Sequence, residues 1–137
     1  MMSNFKDNSD KAKKALLDAV TKGVTKAVEY VESQAVLNAP VDSGALSQSI
    51  DHSVDTTTKE VTGEVGTNSE YAIYQEFGVG IHAENGQGRK DSWTYQKPNG
   101  EWVTTSGFKA QPFLRPAFKD NIENIKKAIK DELSKIN

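Results

Sequence analysis

The sequence predicts an α+β fold: a long N-terminal helix, a central antiparallel β meander, and a C-terminal helix packed on the sheet. Three observations carry that prediction. Apolar residues recur every three or four positions from Ser9 to Asn38, strict alternation sets in between Ile50 and Val65, and the three-four rhythm returns from Leu114 to Ile136. At 137 residues the chain fits a single domain, 1–137, large enough for a core of its own.

Residues 1–8 are polar and are expected to fray. The first helix places Ala12, Ala15, Leu16, Ala19, Val20, Val24, Ala27, Val28, Val31 and Ala35 on one stripe. Gly23 lies on the same stripe. It costs up to about 1 kcal/mol against alanine inside a helix, so it marks either a close-packing point or a bend. Pro40 clashes with the preceding turn and biases Ala39 away from helical angles, which ends the helix near Asn38. A helix of this length spans about 45 Å, against roughly 35–40 Å for a compact domain of this size. It therefore either bends at Gly23 or frays at its start, or it packs part of its small-residue stripe against another subunit.

Val41-Asp42-Ser43-Gly44 reads as a turn, with Asp42 or Ser43 capping a helical turn through Ala45, Leu46 and Gln48. Ile50, His52 and Val54 then alternate with Asp51 and Ser53. Beyond a polar turn, Val61, Gly63 and Val65 alternate with Thr62 and Glu64, making a hairpin with one face on the core. Tyr71 to Phe77 is a short helix or a strand. Residues 78–92 hold four glycines and little apolar content, and read as a mobile glycine-rich loop. Trp93–Lys97 and Glu101–Thr105 flank Pro98-Asn99-Gly100, a second hairpin with cross-strand pairing among Trp93, Tyr95, Trp102 and Thr104. The last helix runs from about Pro112 to Lys135 on Leu114, Phe118, Ile122, Ile125, Ile129 and Leu133, with Pro112 and Pro116 near its first turn.

Composition narrows the chemistry. The absence of cysteine excludes disulfides, thiolate metal sites and cysteine nucleophiles. Seventeen basic and nineteen acidic residues give a net charge of -2, which excludes a generally basic nucleic-acid binder but leaves room for a local patch. With no signal-peptide core and no apolar run near membrane-spanning length, a soluble product made in the cytoplasm and without membrane contact is expected. His52 and His82, the latter near Glu84, form no His-x-x-x-His pair, so no metal is expected. No serine-nucleophile elbow occurs, and Gly78-Val79-Gly80 and Gly86-Gln87-Gly88 lack the lysine ending of a phosphate loop. Only Glu64, Glu70 and Glu76 offer a carboxylate cluster for hydrolysis. The expectation is a protein without catalytic residues, cofactor or small-molecule substrate.

Two surface features remain. Arg89 and Lys90, with Trp93 and Tyr95 nearby, suit a nucleic-acid contact through the 86–95 loop and hairpin, or else form a solvated loop beside Asp91. The segment Ala110–Phe118 reads as a rigid apolar latch. Phe108, Phe113, Arg115 and Phe118 are residue types that anchor protein interfaces. Arg115, held between Leu114 and Pro116, is either an intersubunit contact or a locally paired brace.

Four motifs occur in order: Ala39-Pro40-Val41-Asp42-Ser43-Gly44-Ala45-Leu46 with Ser49-Ile50; Gly63-Glu64-Val65-Gly66-Thr67; Tyr71-Ala72-Ile73-Tyr74-Gln75-Glu76-Phe77-Gly78; and Gln111-Pro112-Phe113-Leu114-Arg115-Pro116-Ala117. Together they resemble the tailed-bacteriophage gene-ten-like tail-component family of minor structural, head–tail joining or tail-completion proteins. Ser43, Ser47 and Val79 depart from the threonine, basic residue and threonine that the family tends to carry. The resemblance implies a non-enzymatic virion protein of the neck or tail, assembled in the host cytoplasm of a phage or prophage. It implies a ring, usually a hexamer in the virion and a monomer in isolation, contacting the head connector or stopper and the tail-tube or tail-terminator protein. A passing contact with phage DNA would fall to Arg89 and Lys90. Structural or interface roles fall to Pro40, Asp42, Gly44 and Leu46 at the turn, and to Tyr71, Tyr74 and Phe77 between sheet and helix. In the latch they fall to Pro112, Phe113, Leu114, Arg115, Pro116 and Phe118.

Overall fold

A computed structural model of the chain describes residues 8–40, 44–97 and 99–136. Helix α1 (Ser9–Asn38) is unbroken and ends as Ala39 turns extended ahead of Pro40. Its buried positions begin at Ala19 and run through Gly23, Ala27, Val28, Val31 and Ala35. Residues 9–16 are all exposed, so the first two turns project past the core. The capping role expected of Asp42 or Ser43 lies outside the described residues, as do residues 1–7 of the N-terminal segment and Pro98. Gly44 opens α2 (Ala45–Gln48) in the left-handed region at φ 75°, where a side chain would be strained.

Strands β1 (Ile50–Thr56) and β2 (Val61–Thr67) pair antiparallel, with Ile50 opposite Thr67 and Val54 opposite Gly63. The hairpin lies on α1, and its closest approach is made by bare backbone. A Cβ on Gly63 would stand 2.4 Å from Val28 Cγ1 and 2.7 Å from Val24 Cγ1.

Tyr71–Phe77 is helical (α3). Strand β3 (Val79–Gly80) pairs with β6 (Gly107–Phe108), and β4 (Trp93–Gln96) pairs with β5 (Trp102–Thr105). The β4–β5 register sets Trp93 opposite Thr105 and Tyr95 opposite Val103, so the expected pairing of Trp93 and Tyr95 with Trp102 and Thr104 does not form. The α+β class stands, but the strands form three separate two-stranded ribbons rather than one meander, because α3 and the glycine-rich segment intervene. That segment starts with β3 and continues in backbone turns closed by His82 to Val79, Ala83 to Gly80 and Gly86 to Ala83.

The expected single C-terminal helix is two, α4 (Leu114–Lys119) and α5 (Ile122–Leu133). Asn121 Nδ2 donates to the Ala117 carbonyl at 2.9 Å, satisfying the end of α4 at the break. Instead of packing on the sheet, α5 packs chiefly against α1. Gly23 makes this close approach possible, because a Cβ there would stand 2.7 Å from Ile129 Cα. The same seam holds an ion pair between Lys26 and the buried Glu132, which Lys135 also meets at 3.1 Å. Gly23 is thus a close-packing point.

The core gathers Val31, Ala35, Ala39, Leu46, Ile50, Ala72, Phe113 and Ala117. Phe113 is fully buried, contributing about 3 kcal/mol by area. Two expectations about packing fail. Phe118 is 55% exposed because α4 turns Ala117 inward instead, and Tyr74 and Phe77 are half exposed because α3 turns Ala72, Gln75 and Glu76 inward.

Candidate functional site

The latch is tied to α3 by polar groups. The Gln111 amide donates to the Gln75 carbonyl at 2.8 Å, and Gln75 Nε2 donates to Gln111 Oε1 at 3.0 Å. Glu76 Oε1 accepts the amides of Leu114 (2.7 Å) and Arg115 (3.1 Å), two donors with no partner inside a helix that starts there. Pro116, next in line, has no amide to satisfy.

Arg115 closes the arrangement. Its Nε donates to Glu76 Oε2 at 3.3 Å and Nη2 to the Glu76 carbonyl, while Nη1 and Nη2 reach the Glu84 carboxylate at 3.0 and 3.2 Å. Its guanidinium carbon stands 4.6 Å from the centre of the Phe77 ring. Arg115 therefore has a full set of partners within its own chain. Its bonds hold the Glu84 carboxyl below the ordinary range. Glu84 first, then Glu76, raise the guanidinium further. A planar fork suits this two-carboxylate grip in a way lysine does not.

Two grooves flank the brace. The larger, about 950 Å³, is lined by Ile73, Tyr74, Phe77, Glu84, Arg89 and Trp93, with Tyr95 and Phe108. Tyr71, Tyr95 and Phe108 form a ring trio with centroids 6.1–6.2 Å apart, which attaches the β4–β5 ribbon to α3. The smaller, about 390 Å³, lies between β2 and the C-terminal helices, with Val24, Ala27 and Val28 of α1, Val61 and Val65, then Leu114, Arg115, Phe118, Ile125 and Ile129.

Of the residues singled out from the sequence, Leu46 and Phe113 meet in the core. Phe77 and Arg115 touch, and Leu114, Arg115 and Phe118 share the smaller groove. Pro40, Tyr71, Pro112 and Pro116 are half-buried, and Asp42 lies outside the described residues. Arg89 forks onto Asp91 at 2.8 and 3.0 Å and stacks 5.5 Å over Trp93, and Lys90 donates to the Gly86 carbonyl at 3.3 Å. Arg89 correspondingly holds the Asp91 carboxyl below the ordinary range.

Gln75 as an anchor of the latch was not legible from the sequence. Neither was the pairing of Glu76 with residues 38 and 39 positions later. Among the described residues, Glu64, Glu70 and Glu76 do not gather. The one histidine and carboxylate cluster is Glu32, Asp51 and His52, where His52 Nδ1 bonds Glu32 and ties the hairpin to α1. No helix among the described residues is long and apolar enough to cross a membrane.

Fold and surface together define a small α+β protein whose most developed features are a braced latch and two largely apolar grooves. Residues 3–78 match the family model described as "Bacteriophage HK97-gp10, putative tail-component", more than half of the 137-residue chain, and the chain belongs to that family. It is a family of phage tail components rather than a known enzyme family, and it places the protein in the virion. The match runs from α1 to the end of α3, so the glycine-rich segment, the β4–β5 ribbon and the latch lie beyond it. Comparison with curated proteins and with solved structures found no match.

Proposed function

We propose that this tail component acts at the neck, joining the head connector or stopper to the tail-tube or tail-terminator protein by assembling as a ring, usually of six copies. The observation that carries the reading is the apolar surface of α3: Ile73 is 63% exposed, Tyr74 48% and Phe77 46%, and all three line the larger groove. Large apolar side chains left open on neighbouring turns mark a docking surface more often than an ordinary solvated face. The projecting start of α1 offers a second contact, reaching beyond the chain's own core.

The second reading, a nucleic-acid contact through Arg89 and Lys90, is favoured less because Arg89 already forks onto Asp91. Light scattering on the chain alone, then mixed with the connector and tail-tube products of the same phage genome, tests the proposal. A joint complex of ring size is expected. A chain that stays monomeric and binds neither partner would end it.

A further inference from the structure

Among the described residues, β1 and β2 bond only to each other, so the outer edge of β2 carries backbone groups with no strand beside them. Such an edge is a template for another extended segment. Proteins usually blunt it with lysine, proline or a bulge. Strand β2 contains no lysine and no proline, its one charged residue is Glu64, and its register with β1 runs one to one from end to end. The smaller groove borders β2, its lining running from Val61, Gly63 and Val65 to Val24 and Val28 of α1 and to Phe118, Ile125 and Ile129. A strand added here would point every second side chain into an apolar trough.

The same chain displays a segment of matching form. The β4–β5 ribbon has its inner face fixed by Tyr95 on Tyr71 and Phe108. Strand β5 pairs only with β4 among the described residues. Its outer face carries Thr94 and Thr104, bonded to each other at 2.8 Å, and Trp102, 66% exposed and the most exposed aromatic among the described residues. None of the described ribbon residues lines the trough of its own chain.

We propose that the ribbon of a second copy adds along the β2 edge and seats Trp102 in the trough beside Phe118. The occupant is another copy because one chain presents both unpaired edges, the open tryptophan and the apolar seat, and joining them satisfies all of these at once. Ribbon-to-groove contact joins unlike surfaces head to tail, the geometry that closes into a ring when the rotation allows. The inference deepens the ring reading and rests on it.

The chain contains no cysteine, so single cysteines report cleanly. Chains carrying Thr104→Cys and Phe118→Cys are mixed, alone and in the complex with connector and tail-tube proteins, and treated with a short bis-maleimide. A mixed dimer is expected, well above the yield from Thr104→Cys with Glu123→Cys, a position on the open side of α5. Adding Trp102→Ala should weaken association about thirtyfold, as for removal of an aromatic anchor. Because Trp102 is open to solvent, circular dichroism should report an unchanged fold. Assembly without cross-linking above the control overturns the ribbon contact alone. Absence of any assembly overturns both this and the ring reading.

Discussion

Replacing Gly23 by alanine should destabilise the fold, although helix propensity alone says the opposite. Alanine in place of glycine gains about 1 kcal/mol in a helix interior. The added Cβ would stand 2.7 Å from Ile129 Cα and 3.3 Å from its Cβ and Cγ1. Carbon atoms prefer a separation of about 3.5–4.0 Å, so the gap must open by close to 1 Å. The nearest atom is backbone and cannot rotate away; α5 itself has to move. Overpacking of this kind costs about 1–3 kcal/mol, and a shift of a whole helix belongs at the upper end. Setting about 3 against about 1 leaves a net loss of about 2 kcal/mol, or about 8 °C in melting temperature at this chain length. Gly66→Ala is the control. Nothing lies within 4 Å of a Cβ there, so the variant should be unchanged or up to about 1 kcal/mol more stable. Urea and thermal unfolding of both variants, followed by circular dichroism, make the comparison. If Gly23→Ala is as stable as wild type, the α1–α5 contact is not what requires glycine.

Further outcomes can be measured in the same way. Phe113→Ala empties a fully buried site and should cost about 3–5 kcal/mol in urea unfolding, whereas Phe118→Ala, more than half exposed, should cost under about 1. Glu76→Ala leaves two α4 amides and part of Arg115 without acceptors. It should cost about 3 kcal/mol, and removing Arg115 as well should recover part of that loss, a coupling that a double-mutant cycle reads directly. Glu132 is held below its ordinary value of 4.5, first by Lys26 and then by Lys135. A depressed carboxyl stabilises the fold fully above that ordinary value and loses its contribution as pH falls through its folded value. Wild type should therefore lose stability faster than Glu132→Gln below about pH 4.5; parallel curves would argue against the pairing. Arg89→Ala with Lys90→Ala should leave retention on DNA at low salt unchanged, since the arginine is already paired.

The parts of this fold that repeat locally were legible in the sequence. The stripe from Ala12 to Ala35 and the stop at Pro40 located α1, and alternation around His52 and Val65 located the first hairpin with its inward face. The end of α4 was not legible, because apolar spacing from Leu114 to Leu133 continues straight through the break that Asn121 makes with its own side chain. The orientation of α3 was lost for a different reason. Tyr71, Tyr74 and Phe77 form the obvious apolar row, yet the helix buries Gln75 and Glu76 because their partners arrive from Gln111, Leu114 and Arg115. Polar residues that are satisfied only by a distant segment leave no periodic trace. The latch itself stood out by composition, but its grip on Glu76 and Glu84 depends on a meeting of three segments that only the folded chain provides.

That grip has a mechanical meaning. Arg115 lines the smaller groove, while Phe77 and Glu84, which it holds, line the larger one. The two surfaces thus share a party wall, and its position is set by one guanidinium clasped between two carboxylates. Loss of that one side chain would therefore remove a lining residue from the groove beside β2 and free two lining residues of the groove beside α3.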